Sequence, residues 1–375
     1  MTTKNPELLA RLEQAYGYDG LGILTVRGVP TLEEKRLELL PLAKKFANLP
    51  EEIKRKVEVP HAFYQVGWSY GNEKLQGNKP DYAKGSYYAN PLVDVPSDDK
   101  ELIKKFPSFL EPNVWPSEDI PTFESAFKDL GQLVVEVGRM IAKQCDDLVE
   151  SKGIGYEKGK LFKLLTDSKC CKGRLLNYYP IDEVVDLVST SSDSSDCDSI
   201  ESPTKEKETS KQNGMDDDVA FSDWCGWHND HGSLTGLVPA IYTDSDDNIV
   251  PCPDPRAGLY IYSRQGKLVK VQLPKGEEGK NCISFQIGET TQIHTGGVLQ
   301  ATPHAVRGCM GEGSEGISRQ TLAVFMEPEF DGDMKIPQNV EVEQVQNSEA
   351  TRNLPQSVKT LKSRWKEGMD FGQFR

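Results

Sequence analysis

The chain of 375 residues carries 58 acidic against 44 basic side chains, a formal net charge of −14. That length suits one large catalytic domain with helical additions, or two ordinary domains. The sign of the charge argues against nucleic acid as a partner, because phosphate binding needs clustered Lys and Arg. No apolar run is long enough to cross a bilayer, and the opening MTTKNPELLARLEQ lacks the apolar stretch of a secretory signal. Eight cysteines without a CxxC pair do not read as a disulfide framework. They point to a reducing compartment, cytoplasmic or nuclear, and the adjacent Cys170 and Cys171 read as buried thiols.

In chain order, LGILTVRGV (residues 21–29) is a short β-branched strand closed by Pro30. Thr31 stands three residues before Glu34, the spacing of a capping box that opens an apolar-periodic helix. Residues 60–92 are rich in aromatics and glycine without a period, which predicts a structured loop lining a ligand site. In it Tyr64, Trp68, Tyr87 and Tyr88 are candidates for the site mouth, and His61 faces either the substrate or, as a surface residue, solvent. After Pro121, with Thr122 as cap, the positions Phe123, Phe127, Leu130, Val134, Val137, Ile141 and Leu148 keep the rhythm of one buried helix face. Short strands then follow: GRLLNYYP, GLYIYS, KLVKVQL, CISFQIG and TLAVFMEP, a pattern of sandwiches, barrels and jelly rolls. Between the first of these and Trp224, residues 181–220 hold twelve acidic and three basic residues and no aromatic, which predicts a disordered acidic insert on the surface. A final helix is expected near Val358–Trp365.

The five histidines are the most informative residues. In WHNDHGSLTGL, His228 and Asp230 are two apart, and in an extended strand such residues share a face. His304, in QATPHAVRG, supplies a third donor from a distant strand. Two imidazoles and one carboxylate on one face leave positions open, as non-haem Fe(II) oxygenases require. Past a Gly-rich turn, SRQTLAVFMEP places Arg319 and Thr321 two apart, a guanidinium beside a hydroxyl that suits a distal carboxylate. By parity His231 lies behind the pair His228 and Asp230, and His294 sits in a Gly-flanked turn.

HxD, then a distal His, then Arg-x-Thr, in that order, resembles the Fe(II)/2-oxoglutarate-dependent dioxygenases of the isopenicillin N synthase-like branch common in plants and fungi. The similarity extends over most of the chain: the strand and helix of residues 20–57 ending in Leu49–Glu52, then GRLLNYYP, HNDHGSLTGL, IGETTQIHTGGVLQATPHAV and SRQTLAVFMEP. It implies a mixed α/β, β-rich fold: a double-stranded β-helix (jelly roll) core with supporting helices and an N-terminal α/β extension. On that reading residues 1–120 form the N-terminal dioxygenase-type region and 121–168 the long supporting helix. Residues 169–335 form the jelly roll interrupted by the insert, and 336–375 a tail with a helix.

Carried over by position, the resemblance makes His228, Asp230 and His304 the iron ligands. Arg319 and Thr321 become the grip on the distal carboxylate of 2-oxoglutarate, with Asn177 and Tyr179 at its other end. It implies Fe(2+), 2-oxoglutarate as cosubstrate, O2, and ascorbate as an added factor. The reaction implied hydroxylates or desaturates a small organic molecule, with release of succinate and CO2, in a monomeric protein. Thr321 stands where the family usually has Ser, the acidic insert separates NYYP from the metal motif, and the turn before Arg319 is long. An oxidase of the same fold without 2-oxoglutarate, a non-catalytic binding module and a zinc hydrolase remain as alternatives. The identity of the substrate is not legible.

Overall fold

The computed structural model describes residues 5–73, 80–184, 223–274, 276–347 and 358–375. In chain order its strands are β1 (Ile23–Val26), β2 (Gly67–Tyr70), β3 (Lys84–Ala89), β4 (Lys172–Tyr178), β5 (Asp223–His228), β6 (Leu234–Leu237) and β7 (Ile241–Thr243). They continue with β8 (Ile249–Val250), β9 (Gly258–Tyr262), β10 (Leu268–Lys270), β11 (Ile283–Ile287), β12 (His304–Arg307) and β13 (Ser318–Met326). One sheet runs β1-β11-β6-β13-β4-β3-β2 with β7 and β8 attached beside β13, and the other runs β10-β9-β12-β5. All these pairings are antiparallel. The five strands expected beyond Cys171 all form. So does the one before Pro30.

The helix Phe123–Glu150 covers the outer face of the larger sheet. Phe123, Phe127, Leu130, Val134, Val137 and Leu148 are buried as the periodicity requires, joined by Leu175, Phe285, Leu322 and Val324 from the strands. Helix and sheet approach closely because Gly138 faces Met326 and Phe285, while Gly236 faces Val134. The helix Leu32–Ala47 packs beside it, but its expected capping box is absent. Thr31 adopts φ 60° and makes no cap hydrogen bond. The opening residues, unassigned from sequence, form a helix, Pro6–Tyr16, capped by the Asn5 side chain. None of the described helices is long and apolar enough to cross a membrane.

Residues 60–92 differ most from expectation. They are not one loop: β2 and β3 pair with each other, and β3 extends the sheet beyond β4. Every residue of β3 is buried, so the strand shows no polar/apolar alternation to betray it. The N-terminal third is therefore continuous with the main sheet through both β1 and β3. Of the acidic insert, residues 185–220 lie outside the described residues. Its first four, 181–184, form a helical turn, with Ile181 packed against the apolar cluster between the sheets. At the other end of the chain the expected terminal helix is shorter, Leu361–Arg364.

The Gly236 contact yields a test of the packing. A valine there would push into Val134 and Phe285, and overpacking of this kind costs about 1–3 kcal/mol. Thermal unfolding of Gly236→Val should show a clearly lowered Tm, whereas an unchanged Tm would mean that helix and sheet are not in contact at this point.

Candidate metal centre and its cavity

Strand pairing builds the centre. β5 ends at His228, β12 begins at His304, and the two residues are direct cross-strand partners beside a bulge. Their rings lie 4.3 Å apart between centroids. The strand does not continue to Asp230, so the shared face expected from i, i+2 parity is not what unites the pair. A turn does so instead: Glu289 N–H donates to Asp230 O at 2.8 Å and Ser233 N–H to Met326 O at 2.9 Å, folding Asp230 back over the imidazoles. Asp230 Oδ1 then sits 3.8 Å from His228 Nε2 and 3.7 Å from His304 Nε2. One donor atom from each residue lies within 4.8 Å of the others.

The tautomers suit a metal. His228 Nδ1–H donates to Gly226 O at 2.7 Å and His304 Nδ1–H to Thr302 O at 3.2 Å, which points both Nε2 atoms at Asp230. The carboxylate's Oδ2 is buried with no protein partner. An orphaned buried carboxylate oxygen is costly unless a cation meets it. The donor set therefore fits a divalent ion of the Fe(II) class.

Burial and the neighbouring His228 push His304 down to about 4, so it is neutral near pH 7. Burial alone would raise the Asp230 carboxyl, but the two imidazoles and Thr235 hold it below the usual range. Burial would likewise lower His228, yet Cys225 and Asp230 hold its proton up to about 9.

Between the sheets lies a cavity of about 590 Å³ lined by all three residues and by Arg319 and Thr321. Arg319 lies over the Tyr178 ring at 5.0 Å and reaches the Tyr242 hydroxyl. Its Nε and Nη1 are buried without a protein acceptor. Thr321 donates its hydroxyl to Val238 O at 3.0 Å. The sequence expectation for Asn177 and Tyr179 is not met: neither side chain reaches the cavity. The pleat of β4 turns Arg174, Leu176 and Tyr178 inward. Asn177 instead accepts from Gln320 Nε2 at 3.0 Å, and Tyr179 packs with Tyr70 on the helix side.

Tyr178 and Arg174 are thus cavity residues that motif transfer overlooked, although period-2 alternation from Leu176 would have found both. Arg174 donates to Ser86 Oγ at 3.0 Å and pairs with Glu73, whose carboxyl is held down to about 2, against its own burial, by Arg174 and Lys84. None of the aromatics expected at the mouth lines the cavity. Trp68 and Tyr87 pack on Phe46, and the Tyr88 hydroxyl donates to Glu73 at 2.9 Å.

The remaining histidines fall outside the cavity. His294 bonds Asp333 O at 2.8 Å and the exposed His61 lies 3.1 Å from Glu111. His231, in the turn beyond the end of β5, accepts from Arg364 Nη1 at 2.9 Å. Burial and that guanidinium hold its pKa down at about 4.

Residues 2–118 match the family described as non-haem dioxygenase in morphine synthesis N-terminal. No curated protein matches the chain. Among solved structures, a Caulobacter crescentus protein of the 2OG-Fe(II) oxygenase family is 19% identical with a TM-score of 0.61, covering 90% of this chain and 89% of that one. A full-length Neurospora crassa protein, solved with alpha-KG and 5-formyluracil, is 17% identical with a TM-score of 0.59, over 98% and 86%. JOX2, solved with 2OG, Fe and JA, is 17% identical with a TM-score of 0.53, over 90% and 76%. The family match is confined to the N-terminal third, and along nearly its whole length the chain shares the fold of these solved structures.

Two measurements test the centre. Mn(II), titrated by calorimetry as a redox-inert probe, should bind the native chain and bind neither His228→Ala nor His304→Ala. Because a metal must displace the His228 proton, apparent affinity should weaken by about tenfold per pH unit as pH falls from 8 to 6. A flat pH profile would show that no proton leaves His228 when the metal binds.

Proposed function

We propose that this chain, which has the fold of the 2OG-Fe(II) oxygenases, is an Fe(II)- and 2-oxoglutarate-dependent dioxygenase that hydroxylates or desaturates a small organic substrate. One observation carries the reading: the converging set His228, Asp230 and His304 shares its cavity with a guanidinium that has two unpartnered buried nitrogens. A buried donor without an acceptor is costly. A dicarboxylic keto acid relieves it, and alpha-KG is what the Neurospora crassa structure holds. The two facing antiparallel sheets are read as the halves of a double-stranded β-helix, with residues 169–335 as its core and 1–120 and 336–375 as extensions.

In this mechanism His228, Asp230 and His304 are the residues that would hold the metal, each offering one donor atom to the same point in the cavity. The backbone bonds from both Nδ1 atoms fix the imidazole planes before the ion arrives. Arg319 would meet the distal carboxylate of 2-oxoglutarate through a nitrogen that has no protein acceptor, with its guanidinium held over the Tyr178 ring. Thr321 has already committed its proton to Val238 O, so Arg319 carries most of that grip. Leu176, Leu237 and Val306 line the same space and keep water from the reacting atoms. When bound, Fe(II) and 2-oxoglutarate supply the oxidising chemistry, O2 being consumed as the keto acid goes to succinate and CO2.

The test is succinate release that requires 2-oxoglutarate, scored across small organic molecules, together with cosubstrate affinity in Arg319 variants. Arg319→Lys keeps the charge but loses the planar contact, and should weaken 2-oxoglutarate binding by about one to two decades. Arg319→Ala should weaken it more and Thr321→Val least, with Mn(II) affinity unchanged in all three. Undiminished 2-oxoglutarate binding in Arg319→Ala would take the grip away from Arg319, whereas substrate oxidation that proceeds without 2-oxoglutarate would leave an iron oxidase of the same fold.

A further inference from the structure

We propose that Arg364, from the C-terminal segment, is a positioning residue for the metal centre, holding the chain on both sides of Asp230. The inference rests on the reading of His228, Asp230 and His304 as metal ligands. On one side, Arg364 Nη1 donates to His231 Nε2 at 2.9 Å. On the other, Arg364 Nη2 pairs with Glu289 Oε2, while the second oxygen of that carboxylate accepts from Asn229 Nδ2 at 3.2 Å. Asn229 and His231 are the immediate neighbours of Asp230, so one guanidinium sets both flanks of the only carboxylate in the ligand set.

The surroundings show that this is a built contact. Glu289 is fully buried, and a carboxylate in such a place needs a cation to remain there. The residue also fastens the ligand turn through its backbone, since its N–H donates to Asp230 O at 2.8 Å. The guanidinium lies over the Phe374 ring at 5.2 Å, and the same ring is 5.9 Å from His231. At the end of the chain, Arg375 pairs at 3.0 Å with Glu327, whose side chain packs where a Cβ on Gly232 would point. The last residues of the chain thus form the rear wall of the turn at 229–232, opposite the cavity. Residues that support metal ligands in this way set the ligands' orientation and tune affinity by about tenfold to a hundredfold.

Full-length variants separate positioning from plain stability. Mn(II) affinity by calorimetry and the visible absorption bands of the Co(II)-loaded chain are the readouts. Arg364→Met should lower Mn(II) affinity by about tenfold or more and shift the Co(II) bands, with Arg364→Lys recovering part of both. Because Arg364→Met strands the Glu289 charge and can unfold the chain, the double variant Arg364→Met/Glu289→Gln removes that charge and restores the fold. Its affinity should stay low, since the flanks of Asp230 remain unheld. Native affinity and native Co(II) bands in Arg364→Met, or their full return in the double variant, would overturn the proposal. Failure of the native chain to bind either ion would overturn the metal reading itself and this inference with it.

Discussion

The antiparallel pairing of β5 with β12 is the interaction on which the rest depends. It sets His228 opposite His304, so the two imidazoles are fixed by backbone hydrogen bonds and not by flexible side-chain contacts. The remaining arrangement follows from that register. The larger sheet closes the other side of the cavity, the turn after His228 delivers Asp230, and the helix Phe123–Glu150 makes the larger sheet stiff enough to hold its share. A donor set made this way costs little to organise on binding, because the geometry of its two imidazoles is already part of the sheet.

The cavity holds polar groups that the protein itself leaves unpaired: Asp230 Oδ2, and Nε and Nη1 of Arg319. Along β4, by contrast, polar groups are matched, as in the link from Arg174 to Glu73 or from Gln320 to Asn177. Unpaired groups are tolerated where something else is meant to pair with them.

Much of this was legible in the sequence. The order HxD, His, Arg-x-Thr rests on residue types that few other sites need together, and the strands after Cys171 announce themselves by β-branched and aromatic runs. What was not legible has identifiable causes. β3 is buried throughout, so it lacks alternation. Asn177 and Tyr179 were carried over by their place in the NYYP motif, but the pleat of β4 presents Tyr178 to the cavity. Thr31 has the residue of a capping box without the backbone angle for one. The contacts of Arg364 join residues far apart in the chain, and no local pattern records them.

The path through the larger sheet ends in β1 on one side and β2 on the other, each of only four residues. An open strand edge is a template for pairing with another chain, and short edge strands are one way that proteins blunt it. Longer strands such as β4 and β13 are kept to the interior of the sheet. Removal of the N-terminal third would take away both short strands and leave β4 as a seven-residue edge. The N-terminal region therefore also acts against self-association, and a fragment lacking it would be prone to aggregate even with His228, Asp230 and His304 in place.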